Sequence, residues 1–270
     1  MGPRSTSQSV QYRRLGESGR FPLSYDCISL ALKFHERVKN LTDNSLVSLA
    51  YQEQQRCKLD WYTNLNGIIT NNKSSTCPLV THNYTMNNSE PYEIKNIFFN
   101  LKNNFIQHWA HSKSNTSKLT FYDNVKSDFD QESYLNDVTN FTARSALTKL
   151  RISAHDLKIE TGRYSLLPRE ERSCEWCKLV TSTNYIENEN HVLLECDLYA
   201  SLRSEFLTFA RSANTSCANV TANSATHDVS KLFNPLHKNA KYNDRLAKTI
   251  SKMFKTREKC IEELNKSNST

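Results

Sequence analysis

The sequence predicts a mostly α-helical protein: bundle-like helical segments with one small irregular module of three cysteines and a histidine among them. Three observations predict it. Apolar residues recur at intervals of three and four through much of the chain, the period of a helix rather than of a strand. Only 37% of the 270 residues are hydrophobic, which suits thin cores between helices better than a thick interior. Between Cys174 and Cys196 that periodicity gives way to a concentration of metal-ligand residue types.

The opening residues 1–20, with few apolar side chains, read as a disordered leader. Residues 21–145 read as a helical region. Pro22 suits a helix entry, and Ile28, Leu30, Leu32, Phe34, Val38 and Leu41 recur at helical spacing before Thr42 to Asn44 punctuate the run. A second helix follows through Leu46, Leu49 and Tyr51. Residues 64–90, rich in Asn, Thr and Ser, read as loop. Residues 93–111 form an amphipathic helix, with Ile97, Leu101, Phe105 and Trp109 every four positions. The run SKLTFYDNV is expected to be a short strand or extended connector, and helix resumes from Ser133 to about Leu157. Residues 146–210 hold a basic helix and the cysteine module. The stretch 211–240 has linker composition, 241–264 a last helix through Leu246, Ile250, Met253 and Phe254, and 265–270 a tail.

The formal charge of +7, from 35 bases against 28 acids, favours a polyanionic partner only where the bases cluster. No run has the length of a membrane-spanning helix, and the first residues lack the apolar core of a signal peptide. An intracellular location, in cytoplasm or nucleus, and a reducing environment are therefore expected. There, eight cysteines need not form a disulfide framework.

Five cysteines are scattered singly, while three lie in CEWCKLVTSTNYIENENHVLLEC. Cys174 and Cys177 have the two-residue gap that lets one tight turn aim both sulfurs at a single ion. His191 and Cys196 complete a Cys3His set. Zinc favours such a set of thiolate and imidazole ligands. With all four places filled by protein, the ion is structural rather than catalytic. Positions five apart on an ideal helix differ by about 140° around the axis, so the helix must begin after His191 or be distorted near it.

The residues around this cluster are similar to those of a known family. KLRISAHDLKIETGRY (149–164), PREERSCEWC (168–177) and ENENHVLLECDLYASLR (187–203) resemble the C-terminal region of non-LTR (LINE-type) retrotransposon reverse transcriptases. The matching positions are Arg151, Ser153, His155, Leu157, Ile159, Glu160, Gly162 and Arg163, then Arg172, Cys174, Cys177, His191, Cys196, Tyr199, Leu202 and Arg203. GESGRFPL (16–23) resembles the element that follows the family's catalytic domain. Ser18, Val192 and Asp197 depart from the usual Leu, Phe and Pro. The match extends weakly over most of residues 13–258.

The resemblance implies RNA or DNA as partner, and the polymerase domain of a parent polyprotein as neighbour. It does not imply polymerase chemistry in this chain. The family's catalytic carboxylates form an aromatic-x-Asp-Asp motif, and no Asp-Asp pair occurs here. Asp128-Phe129-Asp130 sits in a polar run without apolar flanking strands.

Ala143, Leu147, Leu150, Ala154 and Leu157 share one helical face. Arg144, Thr148, Arg151, His155 and Lys158 follow one residue on. That polar row is either a solvated face or a phosphate-binding one. The resemblance and the adjoining Arg163, Arg169 and Arg172 tilt it toward phosphate contact, while Ser153 and Asp156 could cap a new helix and break the register. The expectation is a non-catalytic nucleic-acid-binding region with a structural zinc. A zinc-stabilised protein-interaction module or a decayed element fragment are the alternatives.

Overall fold

The computed structural model describes residues 4–42, 44–73, 92–116, 119–212, 229–233 and 239–267. Among them helices dominate and no strand forms beyond two isolated bridges, as the period of the apolar residues predicts. The helices are α1 (Arg4–Ser18), α2 (Leu23–Lys39), α3 (Leu46–Arg56), α4 (Asp60–Lys73), α5 (Tyr92–Ser114), α6 (Thr120–Val125), α7 (Tyr134–Asp137), α8 (Phe141–Arg151), α9 (Lys158–Tyr164), α10 (Glu175–Val180), α11 (Ala200–Ser212) and α12 (Ala240–Ser267). They belong to two compact units. One combines Met1–Gly19 with Ser112–Thr270, and the other is Arg20–His111. No helix of the described residues is long and apolar enough to cross a membrane.

In the unit of residues 20–111, Pro22 precedes α2 with its fixed φ, and the Ser45 hydroxyl accepts from Ser48 N at 3.1 Å to cap α3. Leu32, Leu65, Ile69, Ile94 and Ile97 form a small core. Leu30 and Phe34, spaced as if internal, are exposed instead. The period of α2 supplies more apolar residues than so thin a core can cover. The expected loop at 64–90 starts later than its composition suggests, because α4 continues through Lys73; residues 74–91 lie outside the described ones.

The larger unit is built on α8 and α12, which lie side by side, with α11 against α12. Leu147 and Leu150 from α8 join Leu246, Ile250 and Met253 from α12 in one continuous core. The Asn140 side chain starts α8 by accepting from Ala143 N at 2.9 Å.

The expectation of a disordered leader at 1–20 fails, because α1 is part of this unit. Its anchor is polar, so apolar patterning gives no sign of it. Arg13 and Glu17 are almost wholly buried. The Arg13 guanidinium donates to Ile152 O, while Tyr122 Oη donates to Arg13 O at 3.3 Å. Glu17 meets Arg151 at 3.0 Å. Glu132 N donates to Glu17 O at 3.0 Å, beside an antiparallel bridge between Ser18 and Gln131.

Other boundaries also move. The expected strand in SKLTFYDNV is α6, whose Phe121, Tyr122 and Val125 are buried at helical spacing too brief to read as a period. The expected division at 145/146 runs through α8. Part of the expected linker, Val229–Phe233, is a 3-10 turn with Val229, Leu232 and Phe233 in the core; 213–228 and 234–238 lie outside the described residues. The last helix begins one residue early and takes in positions expected to be tail.

Candidate metal centre

Chain segments meet around the cluster in a fixed order. Residues 172–174 run antiparallel to 185–187, through Cys174 N to Tyr185 O at 2.8 Å and Glu187 N to Arg172 O at 2.9 Å. This pairing delivers Cys174 to the N-cap position of α10, one turn before Cys177. The turn then closes on Cys177 O, which accepts from Thr181 N at 2.9 Å and Thr181 Oγ1 at 2.8 Å.

The second pair of residues needs the distortion that the five-residue spacing demands. Asn188 Oδ1 caps the next segment by accepting from His191 N at 2.8 Å. His191–Glu195 is a π-helical turn, and Cys196 N donates to His191 O at 2.8 Å across five residues. Cys196 itself is extended (φ −61°, ψ 126°), and Arg203 donates to its carbonyl at 3.1 Å. The widened turn and the break after it bring His191 and Cys196 to one point.

Cys174, Cys177, His191 and Cys196 are all buried, and one ligand atom from each lies within 4.8 Å of the others. Cys177 Sγ is 3.4 Å from His191 Nε2 and 3.6 Å from Cys196 Sγ. Bond lengths of about 2.3 Å for sulfur and 2.0–2.1 Å for nitrogen place tetrahedral ligand atoms about 3.5–3.8 Å apart. The donor set therefore fits a metal ion with no position left for a substrate.

His191 is held for this role through its other nitrogen, with Nδ1 3.3 Å from Glu195 Oε2. The Tyr185 ring stacks on the imidazole at 5.3 Å. Trp176, between the two cysteines of the first pair, is partly buried against the same core.

The electrostatics suit a cation as well. Hydrogen bonding from Cys196 and the proximity of His191 pull the Cys174 thiol down to about 4, against the cost of its burial. Burial and the neighbouring Cys174 charge push Cys177 up to about 11, and the hydrogen bond to Cys174 drives Cys196 further up. Burial would lower the pKa of His191, but the bond and charge of Cys174 outweigh it and raise it. The protein alone thus favours one thiolate. A bound divalent ion favours all three, since a coordinating thiol gives up its proton.

The expected nucleic-acid-binding row is corrected at this level. Helix α8 ends in a Schellman turn, with Ala154 N donating to Lys149 O at 2.8 Å and Ser153 at φ 49°. That turn breaks the register between Arg151 and Lys158. Arg151 is buried against Glu17 and Glu132, each at 3.0 Å, and cannot reach a phosphate. His155 is buried too, its Nε2 3.0 Å from Glu189 Oε1. Burial would raise the Glu189 pKa, but the bond and charge of His155 outweigh it and lower it. Arg172 spends its donors on Leu167 O and Ile159 O, at 2.7–3.1 Å.

The other four lie nearer the surface, and two of them, Arg163 and Arg169, line one groove. Lys158 pairs with Glu175 at 2.6 Å, Arg163 lies 3.6 Å from Glu160, Arg144 donates to Val138 O at 2.8 Å, and Arg169 is exposed. Asp128 and Asp130 flank a buried Phe129 in an irregular bend, not a strand–turn–strand.

Sequence reasoning missed Glu187. Its carboxylate accepts from Arg257 of α12 at 2.7 and 2.8 Å and from Lys158 N at 2.7 Å, and its carbonyl accepts from Ile159 N at 3.1 Å. It ties the metal-site loop to α9 and α12. No local pattern marks it: Glu187 closes the bridged segment 185–187, while Glu189, the partner of His155, opens the helical turn that follows.

No protein-family model, curated protein or solved structure matches this chain.

Proposed function

We propose that this chain is a non-catalytic nucleic-acid-binding region stabilised by a structural zinc ion. It would be of the kind that follows the catalytic domain in non-LTR retrotransposon reverse transcriptases, with RNA or DNA as partner. The observation that carries the reading is the closed, buried Cys3His set, which lies inside the residues 149–203 that bear the resemblance. Thiolate and imidazole donors in a tetrahedral closed site are the chemistry of structural zinc. Bound there, the ion supplies cross-linking rather than reaction. Cys174 and Cys177 hold one side, His191 and Cys196 the other, and the segment between them folds around the site.

Metal analysis of the purified protein should give one equivalent of zinc. Cys177→Ser should lose the metal together with helicity. Because the thiols must be deprotonated and the imidazole neutral, metal is retained at neutral pH and released as the pH falls. A Cys174→Ser, Cys196→Ser double variant with unchanged zinc content and melting would overturn the site. The same protein should bind nucleic acid in a salt-dependent way and extend no primer with Mg²⁺ or Mn²⁺. Extension abolished by Asp128→Asn would overturn the non-catalytic assignment.

The alternative, a zinc-stabilised protein-interaction module, draws on an apolar groove of about 460 Å³ in the smaller unit, lined by Phe34, Leu46, Val47 and Trp61. It is favoured if the protein binds neither RNA nor DNA at low salt.

A further inference from the structure

We infer that the outward face of α12, with the groove it forms beside the start of α8, is a binding surface for the phosphate backbone of a nucleic-acid duplex. This deepens the proposed function and rests on it for the class of ligand. The site is separate from the residues that the sequence suggested.

Lys241, Arg245, Lys248, Lys252, Lys255 and Lys259 follow one another at steps of four, three, four, three and four. At 100° per residue all six fall within about 40° of a single line along the helix. At 1.5 Å per residue the row is about 27 Å long. That is the length of about eight base pairs at 3.4 Å per phosphate on each strand. Between Arg245 and Arg257 the sequence contains no Asp or Glu. The opposite face, with Tyr242, Leu246, Ile250 and Met253, is buried in the core.

Burial of that face decides between polyanions. A basic amphipathic helix binds a membrane by sinking its apolar side into the lipid boundary, and α12 has already committed that side to the protein. What it offers is a row of cations alone.

Arg245 pairs with Glu205, and Lys248 with Asp244 at 2.6 Å, both as exposed contacts that a phosphate can replace at little cost. Lys252 and Lys255 are exposed, and among the described residues no carboxylate pairs with them. They line a groove of about 250 Å³ with Asn140, Thr142, Arg245 and Lys248. Phe141, exposed between Asn140 and Thr142 at the groove's edge, offers one ring, whereas a single-strand binder stacks successive bases on several. Contact through phosphates alone fixes position without reading sequence.

The test compares wild-type protein, a Lys248→Ala, Lys252→Ala, Lys255→Ala variant and an Arg163→Ala, Arg169→Ala variant on two unrelated 16-base-pair duplexes. All three lysines are exposed and alanine favours helix, so circular dichroism of the triple variant should match wild type. A Lys→Gln triple provides a second version with longer side chains. Each lost contact removes about 0.9 from the slope of log K against log salt. Both triple variants should lose about 2.7 in slope and about 500-fold in affinity at 0.1 M salt, equally on the two duplexes. The Arg163, Arg169 variant should keep the wild-type slope.

Wild-type binding with triple variants that retain its slope and affinity overturns the surface and leaves the proposed function standing. So does a loss confined to vesicles containing anionic lipid. Failure of the wild-type protein to bind either duplex or RNA at low salt overturns the proposed function and this surface with it.

Discussion

Replacing Arg151 by alanine removes the only cation that faces Glu17 among the described residues of the α1–α8 contact. The guanidinium is 2% exposed and the carboxylate 3%. Arg151 donates through Nε and Nη2 to Glu17, lies 3.0 Å from Glu132, and stacks near Tyr134 and Phe233 at 5.5 and 5.6 Å. Burial works against its charge, but Glu17 and Glu132 more than compensate and raise its pKa above the ordinary arginine value. Glu132 has Lys126 at 2.6 Å as a second partner and is a quarter exposed, so it survives the loss. Among the described residues Glu17 then keeps the Tyr134 hydroxyl, at 2.7 Å, as its side-chain donor. Breaking a buried pair this way costs about 3–5 kcal/mol. For a unit of this size each kcal/mol is worth about 2–4 °C, so the midpoint should fall by about 6–20 °C. A thermal melt followed by circular dichroism, with a urea series on the same samples, reads that shift. A Glu17→Leu, Arg151→Met double variant should recover much of the loss, since it removes both charges of the pair together and Tyr134 can donate to Thr148 at 3.1 Å. An Arg151→Ala protein that melts within about 2 °C of wild type yet binds nucleic acid less well would refute the reasoning and return Arg151 to the surface.

Three further changes follow, at Gly19 and Arg257 in the same unit and at Gly67 in the smaller one. Gly19 sits at φ +62°, and an added Cβ would come within 2.5 Å of Gln131 N and 2.9 Å of Asp130 C, both backbone; Gly19→Ala should lose at least about 2 kcal/mol by urea unfolding. Gly67→Ala, in the middle of α4 with nothing within 4 Å of the new Cβ, should instead gain about 0.5–1 kcal/mol, and equal effects at the two sites would be wrong. Arg257→Ala strips Glu187 of both side-chain donors, and should lower the melting temperature of the metal-loaded protein by an amount expected of about 3 kcal/mol, whereas an unchanged melt would mean that the loop does not depend on α12.

The helices around Leu32, Ile97 and Leu246 were legible because each has a long apolar period, and the four metal ligands were legible because their residue types and gaps are specific. The π-turn at His191 was anticipated only as a necessity of spacing. What escaped was whatever is held by charge. Arg13, Glu17, Arg151, His155 and Glu187 are residue types that normally mark solvent, and no local pattern announces that their partners lie up to 140 positions away. Ser153 hid the end of α8 for a different reason. The left-handed cap is usually a glycine, and a serine there, bonded to Glu189 at 3.2 Å, gives no such signal. The basic row of α12 is present in the spacing too, on the side opposite Leu246, Ile250 and Met253, whose period marks the helix.

The larger unit is discontinuous in sequence, and that gives the chain an order of assembly. Helix α1 leaves the ribosome before α8, carrying Arg13 and Glu17, whose partners Ile152 and Arg151 follow more than a hundred residues later. Until then both side chains are hydrated charges on a helix too short to hold alone. Their docking must wait for α8, and the intervening residues 20–111 can collapse on their own core in the meantime. A fragment that starts at residue 112 keeps every metal ligand but leaves Arg151 facing a gap where Glu17 belongs. Supplying residues 1–19 as a separate peptide should raise that fragment's melting temperature in proportion to the logarithm of peptide concentration, as for any ligand of the folded state alone.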